Sequence, residues 1–376
     1  MNQTYWVSVW AKRRQDEVIR FPTDYKVHED FLLHMDIAEV KSAFTEINTL
    51  FLKIYDDISQ QPEAFGMPLN LKEVYRIFSK EWRDSGQAPY RLFVLLYNLF
   101  ICGEIMDAGL IVSIEKYKAL KPPPKHQSGI DQKVKYPQFL FDKLNDYGFI
   151  IEGLKNNKLT TSDILITYPD NPTVLRLFKQ LADKARNTNR LEDFLCCHYR
   201  LLQDDMETVN YGQGIDDVAD SVHTDAEKEF CYKIDEALMS KGLVRKSSGG
   251  IECHGIAYYQ NNITKTYSFR LVTRGMDFEH LENEIKKMRL LLRIRNVPNC
   301  LDYIESCPDS IKQIFTEYND AGCEKRYNGT CKHGISYEID AMQYWRCACC
   351  HSPFNFKPDL LNIPHYIKLV ELGEKK

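Results

Sequence analysis

The chain has 376 residues, of which 44% are hydrophobic and 27% are charged. This composition excludes a disordered or collagen-like chain, and the length fits two or three domains of about 100–200 residues each. The net charge of -4 excludes a globally basic nucleic-acid-binding protein, so any site for an anion must be a local patch.

The apolar runs of the chain are short. Leu92–Cys102, the most apolar of them, has eleven residues, whereas a membrane-spanning helix needs about 20. Tyr5–Trp10 is six residues long and precedes basic residues instead of following them, which is not the order of a secretory signal. We therefore expect a cytoplasmic protein that has no membrane segment.

The N-terminal half is predicted to be an irregular arm followed by a helical domain. Residues 1–30 are polar, mixed in charge and interrupted by Pro22, which indicates the arm. Residues 31–200 carry apolar side chains at helical spacing and indicate the domain. After its first helix, helical stripes are predicted over three further ranges: 71–78, 92–100 and 110–117.

The first helix of this domain has the strongest pattern. Asp36 and Glu39 have the spacing of a capping box, and apolar residues then recur every three or four positions as far as Ile58. This heptad face, residues 37–58, has two interpretations. It packs against the rest of its own domain, or it binds another protein.

A helix, a hairpin and a further helix follow in this domain. Pro137 begins the first helix, and Gly148 is placed as its left-handed end. Phe149–Ile151 and Ile164–Thr167 are short β-rich runs on either side of a polar turn. This order of elements, over about residues 70–186, resembles a winged helix-turn-helix in its pattern.

The resemblance implies contact with double-stranded DNA, which needs a basic patch. Five lysines are the candidates for phosphate contact: Lys133, Lys135, Lys143, Lys155 and Lys158. The polar side of the reading helix, however, carries Asp142 and Asp146 and no arginine that could bond guanine. A unit that packs or binds protein, without DNA, is therefore the alternative.

An acidic segment separates the two halves of the chain. From Leu201 to Phe230 there are nine acidic residues and one lysine, which predicts a solvated linker over residues 201–224. Residues 225–318 then predict a small α+β domain. Its predicted elements are a helix at 225–240, β-runs at 251–259, 264–273 and 289–295, and a helix at 309–315.

The last of these β-runs alternates apolar residues with arginine. Arg289, Arg293 and Arg295 are expected on one face of the sheet, and Arg270 of the neighbouring run on the same face. Four guanidinium groups on one face predict an anion-binding site. The alternative is the ordinary charged face of a half-solvated sheet.

Residues 319–376 predict a zinc-ribbon-like module and a tail. Five of the 12 cysteines fall within 28 residues, which is typical of metal ligation in an intracellular chain. Two short β-runs, 335–338 and 343–346, predict a hairpin that brings the flanking cysteines together. We predict one structural zinc ion and four ligands: Cys323, Cys331, Cys347 and Cys350.

The spacing of the first two cysteines is wider than in a usual zinc ribbon. Another residue could therefore replace one of the four ligands, and the candidates are Cys349, His333 and His351. Four thiolates would leave no open position on the metal, so the predicted zinc is structural rather than catalytic.

The sequence contains no catalytic motif, and we assign no catalytic residue. Neighbouring Cys–His pairs, such as Cys197 and His198, would point to opposite faces of a strand. We therefore predict a multidomain α+β protein that contains zinc, has a regulatory binding function and contacts DNA through the winged-helix-like region. The alternatives are a protein-interaction adaptor, and a sensor or enzyme that binds an anion at the arginine row.

Overall fold

A computed structural model divides the chain into two compact units, Met1–Asn210 (unit 1) and Tyr211–Lys376 (unit 2). The chain is α+β, with several small sheets. The residues that the structure describes are 4–18, 25–74, 79–107, 109–120, 138–160, 162–208, 215–219, 222, 224–247, 256–263, 267–272, 288–316, 334–347 and 354–374. Among them, no helix is both long enough and apolar enough to span a bilayer.

Unit 1 consists of helices and a small four-stranded sheet. The helices described are α1 (Trp6–Glu17), α2 (Ile37–Gln60), α3 (Lys80–Gln87), α4 (Arg91–Cys102), α5 (Ile114–Ala119), α6 (Gln138–Asp146), α7 (Pro172–Asn187) and α8 (Leu191–Leu195). The strands are β1 (Gly103–Met106), β2 (Gly109–Val112), β3 (Ile150–Glu152) and β4 (Ile164–Thr167). They form an antiparallel sheet in the order β1-β2-β4-β3.

The capping box at the start of α2 is confirmed. The Asp36 amide donates to Glu39 Oε2 (2.7 Å), and the Glu39 amide donates to Asp36 Oδ1 (2.8 Å). From Val40 to Ile58 the apolar heptad positions are buried, and only Ile37 is exposed, at 49%. Packing within its own domain is therefore confirmed for the 37–58 face. That face is not accessible to another protein, which corrects the second interpretation.

The prediction of an irregular arm over residues 1–30 is wrong, because α1 lies within that range. Trp10 packs edge-on against Trp82, with ring centroids 5.1 Å apart. Arg14 is buried on the same helix, and its Nη1 donates to both carboxylate oxygens of Glu17 at 2.8 Å. The charged residues that made the segment look solvated form a buried pair instead.

Two of the predicted helical stripes also differ from the structure. Residues 71–74 are not helical, and Leu71 bridges to Tyr5, while 75–78 lie outside the described residues. The 110–117 stripe is divided between β2 and α5, with Ser113 as the N-cap of α5. Short apolar runs fit a strand as well as a helix, so their spacing does not separate the two.

Other local predictions in unit 1 are confirmed. The 92–100 stripe lies in α4, whose apolar residues are buried on all sides. The two predicted β-runs pair as β3 and β4. Gly148, at φ +87°, follows the end of α6. Its amide donates to the Asn145 carbonyl oxygen (3.1 Å).

Unit 2 is built on a five-stranded sheet. Its helices are α9 (Ile215–Ala219), α10 (Asp225–Ser240), α11 (Leu301–Glu305), α12 (Asp309–Thr316) and α13 (Ile363–Gly373). Its strands are β5 (Leu243–Ser247), β6 (Ile256–Asn261), β7 (Tyr267–Val272), β8 (Arg289–Leu292), β9 (Gly334–Ile339), β10 (Met342–Cys347) and β11 (Phe354–Phe356). The sheet order is β11-β8-β7-β6-β5, and β9 and β10 form a separate hairpin.

One face of the five-stranded sheet carries the core of unit 2. The register places one buried side chain of each of four neighbouring strands in a row: Tyr259, Phe269, Leu292 and Phe354. Because β11 pairs with β8, residues after 353 complete the same sheet and core. The predicted boundary between 225–318 and a separate module at 319–376 is therefore wrong, and α13 is a packed helix rather than a tail.

The predicted linker over 201–224 is also partly packed. Leu201 and Leu202 are buried in a 3₁₀ helix, and α9 contributes buried residues to unit 2. The buried Lys184 ammonium donates to the backbone carbonyls of Asp205 and Thr208. The acidic composition predicts a solvated linker, but residues 201–208 are packed within unit 1.

Candidate functional sites

The predicted zinc ligands lie almost entirely outside the described residues. Cys323, Cys331 and Cys350 are not among them, nor are the three alternative ligands. Cys347 is the last residue of β10, and the register pairs it with Gly334 at the open end of the hairpin. Within the described ranges, no three His, Cys, Asp or Glu side chains approach closely enough to hold a metal ion.

The hairpin itself has the strands that the sequence predicts. Tyr337 of β9 lies opposite Tyr344 of β10. Asp340 and Ala341 form the turn with positive φ angles of 53° and 60°, which are the dihedrals of a type I′ turn between antiparallel strands. The hairpin therefore brings its two ends, Gly334 and Cys347, together.

The predicted wing, which we call the wing below, corresponds to the tight turn between β3 and β4 of unit 1. Lys155 and Lys158 exchange two backbone hydrogen bonds, both of 3.1 Å. Between them, Asn156 and Asn157 have positive φ angles of 50° and 55°, again as in a type I′ turn. Both lysine side chains are exposed, so two ammonium groups flank the tip of this wing.

Side chains of the neighbouring helices hold the wing. The Asn157 amide nitrogen donates to Asp142 Oδ1 of α6. Lys118, next to the end of α5, donates to the Thr160 carbonyl oxygen at 2.8 Å. The wing is thereby hydrogen-bonded to α5 and to α6.

Of the other predicted phosphate contacts, Lys143 is the one that the structure describes. Its ammonium is 2.8 Å from Asp146 and 5.3 Å from the centroid of the Phe65 ring, and its side chain is 24% exposed. Lys133 and Lys135 lie outside the described residues. The structure therefore places two of the five lysines, Lys155 and Lys158, together at an exposed position.

The outer face of the unit 1 sheet is apolar. Met106, Ile111 and Ile150 are 55%, 39% and 48% exposed, and the strand register places them on the same face. Glu104 and Glu152 lie at its two edges. Three exposed apolar side chains therefore share this face with two carboxylates.

The structure brings three of the four row arginines to one face of the unit 2 sheet. Arg270 lies opposite Leu291, and Arg289 and Arg293 lie two positions to either side of Leu291. All three arginines are half-buried, whereas Arg295 lies beyond the strand and is exposed. Arg270, Arg289 and Arg293 therefore share one face of the sheet, and Arg295 does not lie in it.

A carboxylate of the chain reaches the same face. Ser268 lies next to Arg293, whose amide donates to the Ser268 carbonyl oxygen at 2.9 Å. The Ser268 hydroxyl donates to Glu374 Oε1 at 2.7 Å. An anion bound by these arginines would therefore lie close to a negative charge, which weakens the anion-site interpretation.

Unit 2 also contains a cluster that sequence reasoning missed. Cys307 Sγ and the Tyr303 hydroxyl lie 3.7 Å and 2.8 Å from Nδ1 of His365. Cys307 and His365 are 58 residues apart, and no motif links them. Burial raises the pKa of Cys307, and Lys312 opposes the shift.

The adjacent Cys–His pair of unit 1, Cys197 and His198, makes other hydrogen bonds. Nδ1 of His198 accepts from the Arg200 amide at 3.2 Å and caps a 3₁₀ helix. Burial raises the pKa of Cys197, and a hydrogen bond with Asn48 opposes the shift.

Comparison of the chain with models of protein families, with curated proteins and with solved structures finds no match.

Proposed function

We propose that the protein is a nucleic-acid-associated binding protein that contacts the phosphates of double-stranded DNA through the wing of unit 1. The observation that carries the proposal is the order of strands. In a winged helix-turn-helix, the strand that precedes the reading helix pairs with the second strand of the wing hairpin. The antiparallel order β2-β4-β3, with α5 and α6 between β2 and β3, has this arrangement.

The wing lysines support phosphate contact. Lys155 and Lys158 flank a two-residue turn and are both exposed, so their ammonium groups can approach a duplex backbone without breaking any contact within unit 1. Each lysine that neutralises a phosphate releases bound counterions, which gives affinity without sequence preference. A pair of ammonium groups is suited to this role, because ammonium acts on phosphate as a point charge.

Helix α6 does not support base reading. Its exposed residues include Asp142 and Asp146, and the one lysine on this helix is paired with Asp146. Asp142 accepts a hydrogen bond from Asn157 and so serves to hold the wing. The proposed contact is therefore with the backbone of the duplex through the wing rather than with base edges through α6.

The test is duplex binding at low salt by fluorescence anisotropy. We expect the double variant Lys155→Ala/Lys158→Ala to bind at least about 10-fold more weakly than the wild type. The matched control is Lys233→Ala/Lys241→Ala, which removes the same charge from exposed positions of unit 2. Equal loss in both double variants, or no binding by the wild type, would overturn the proposal in favour of the adaptor.

We also propose that zinc is bound by Cys323, Cys331, Cys347 and Cys350. The support is the hairpin register, which puts Cys347 opposite Gly334, three positions after Cys331. The segments that carry these two cysteines therefore leave the hairpin at the same end. Four thiolates would hold the ion tetrahedrally and fix those segments.

Metal analysis of protein purified without a histidine tag tests the zinc site. We expect about one zinc ion per chain, lost in Cys347→Ser. The control is Cys102→Ser in unit 1, which should leave the zinc content unchanged. Protein that is free of zinc, or zinc content that is the same in both variants, would contradict the site.

A further inference from the structure

Three side chains of unit 2 meet at one nitrogen atom. Cys307 lies between α11 and α12, Tyr303 lies on α11, and His365 lies in the first turn of α13. Nδ1 of His365 is 2.8 Å from the Tyr303 hydroxyl and 3.7 Å from Cys307 Sγ. Both distances are within the reach of a hydrogen bond, since contacts to sulfur are longer.

The chemistry of the donors indicates the tautomer of the neutral imidazole. The phenol and the thiol each have a proton to donate, and both approach Nδ1, so with the ring proton on Nε2 the one lone pair of Nδ1 can accept from either of them. When Nδ1 becomes protonated, the phenol oxygen can accept from it in turn. The imidazole therefore keeps a partner in both protonation states, as a base that takes and returns a proton requires.

The thiol lies just beneath the surface of unit 2. Cys307 is 4% exposed, but its sequence neighbours Ser306 and Pro308 are exposed, and His365 is half-buried. Two other cysteines of the unit, Cys231 and Cys300, are fully buried in its core. Cys231 contacts the sulfur of Met288, and Cys300 donates to backbone carbonyls.

We propose that Cys307 is a site of covalent modification by small soft electrophiles, with His365 as its general base. Burial raises the pKa of Cys307, so the group is a thiol rather than a thiolate at neutral pH, and its reaction needs a base in contact with it. His365 is in contact with it. The site goes beyond the proposed binding of DNA and zinc and does not depend on either.

Addition to a maleimide illustrates the step. The sulfur forms a bond to one alkene carbon as the carbon–carbon π bond breaks, and the thiol proton passes to His365 Nδ1. The imidazolium then returns a proton to the second alkene carbon, directly or through solvent. The addition needs no oxidant and releases no leaving group. Any soft electrophile that accepts a thiol in this way belongs to the proposed class.

The test is the rate of N-ethylmaleimide labelling of the full chain, read for each cysteine by peptide mass spectrometry. We expect Cys307 to react at least about 10-fold faster than Cys231 and Cys300, and His365→Phe to remove this advantage. His365→Gln, which keeps a polar side chain but supplies no base at neutral pH, should behave in the same way. In both variants the rate at Cys231 reports whether the core of unit 2 remains closed.

The labelling rates distinguish a general-base role of His365 from a purely structural role of this residue. A lower rate at Cys307 with an unchanged rate at Cys231 supports His365 as the base. Equal rates at Cys307 and Cys231 in the wild type overturn the proposal. So does an unchanged Cys307 rate in His365→Phe. If His365→Phe opens unit 2, Cys231 labelling accelerates, and the His365→Gln variant then decides the question.

Discussion

The two units differ in how far apart along the sequence their candidate functional residues lie. In unit 1 the candidate contacts with a ligand are near neighbours in sequence, since Lys155 and Lys158 flank one two-residue turn. In unit 2 the polar groups that meet come from distant parts of the chain, as Cys307 and His365 do. We therefore expect substitutions at the wing to alter binding and leave folding intact. Substitutions at the polar contacts of unit 2 should instead alter folding or reactivity.

A buried ion pair of unit 2 should show the largest effect on stability. Asp235 of α10 accepts from Arg245 Nη1 at 2.5 Å through both oxygens and from the Tyr259 hydroxyl at 2.8 Å. Asp235→Ala leaves the guanidinium and the phenol without this partner in a site where the two charged side chains are 22% and 13% exposed. We expect a loss of about 3 kcal/mol in the free energy of unfolding, measured by urea denaturation.

The same helix supplies the control for that measurement. Glu236 is 76% exposed and lies 3.7 Å from Lys233, so Glu236→Ala should cost less than about 1 kcal/mol. Similar losses in Asp235→Ala and Glu236→Ala would contradict the claim that polar contacts of unit 2 are part of its folding.

The most deeply buried cation among the described residues of unit 1 is Lys184. Lys184 is 1% exposed, and its ammonium donates to the carbonyls of Asp205 and Thr208. Lys184→Met would leave both carbonyls without this donor, and we expect a loss of about 2 kcal/mol in the free energy of unfolding. Faster amide hydrogen exchange at Thr208 should accompany it, because the segment before Asn210 would be released.

Lys179 on the same helix is the matched control for Lys184. Its side chain is 19% exposed and pairs with Asp183, so Lys179→Met should change stability by no more than about 1 kcal/mol and leave exchange at Thr208 as it is. If the two lysine variants behave alike, the first part of the acidic segment is not fixed by Lys184.

The N-cap of α2 should give the smallest effect. Asp36→Ala removes the acceptor for the Glu39 amide and should lower the free energy of unfolding of unit 1 by about 1 kcal/mol. Asp36→Ser, which restores an acceptor, should recover most of the loss. Affinity for a duplex should be the same in both variants, because the wing is untouched; a change in affinity would break the separation of folding from binding in unit 1.

Local sequence signals predicted the local structure well. The Asp36–Glu39 capping box, the buried α4 and the two hairpins each depend on residues within a few positions of one another, so their patterns are visible in the sequence. The wing lysines belong to the same group, because the Asn156–Asn157 turn and the flanking strands are contiguous.

What the sequence did not predict depends on contacts between distant segments. The charged helix α1 packs against distant residues: the Trp10 ring lies 5.1 Å from the Trp82 ring, and Arg14 lies 4.3 Å from the centroid of the Tyr90 ring. The polar composition of α1 did not predict these contacts. Strand β11 has three residues and is a strand because β8 accepts it as a neighbour. The contact of Cys307 with His365 has no signal in the spacing of either residue, since it is set by how α13 packs.

The salt dependence of duplex binding is the most direct test of contact between the wing and DNA phosphates. The slope of the logarithm of the binding constant against the logarithm of salt concentration counts the phosphates that the protein neutralises, at about 0.9 per contact. We predict that Lys155→Ala/Lys158→Ala makes this slope shallower by about 2 relative to the wild type, while Lys233→Ala/Lys241→Ala leaves it unchanged. A slope that is the same in the wild type and the wing variant would contradict the account.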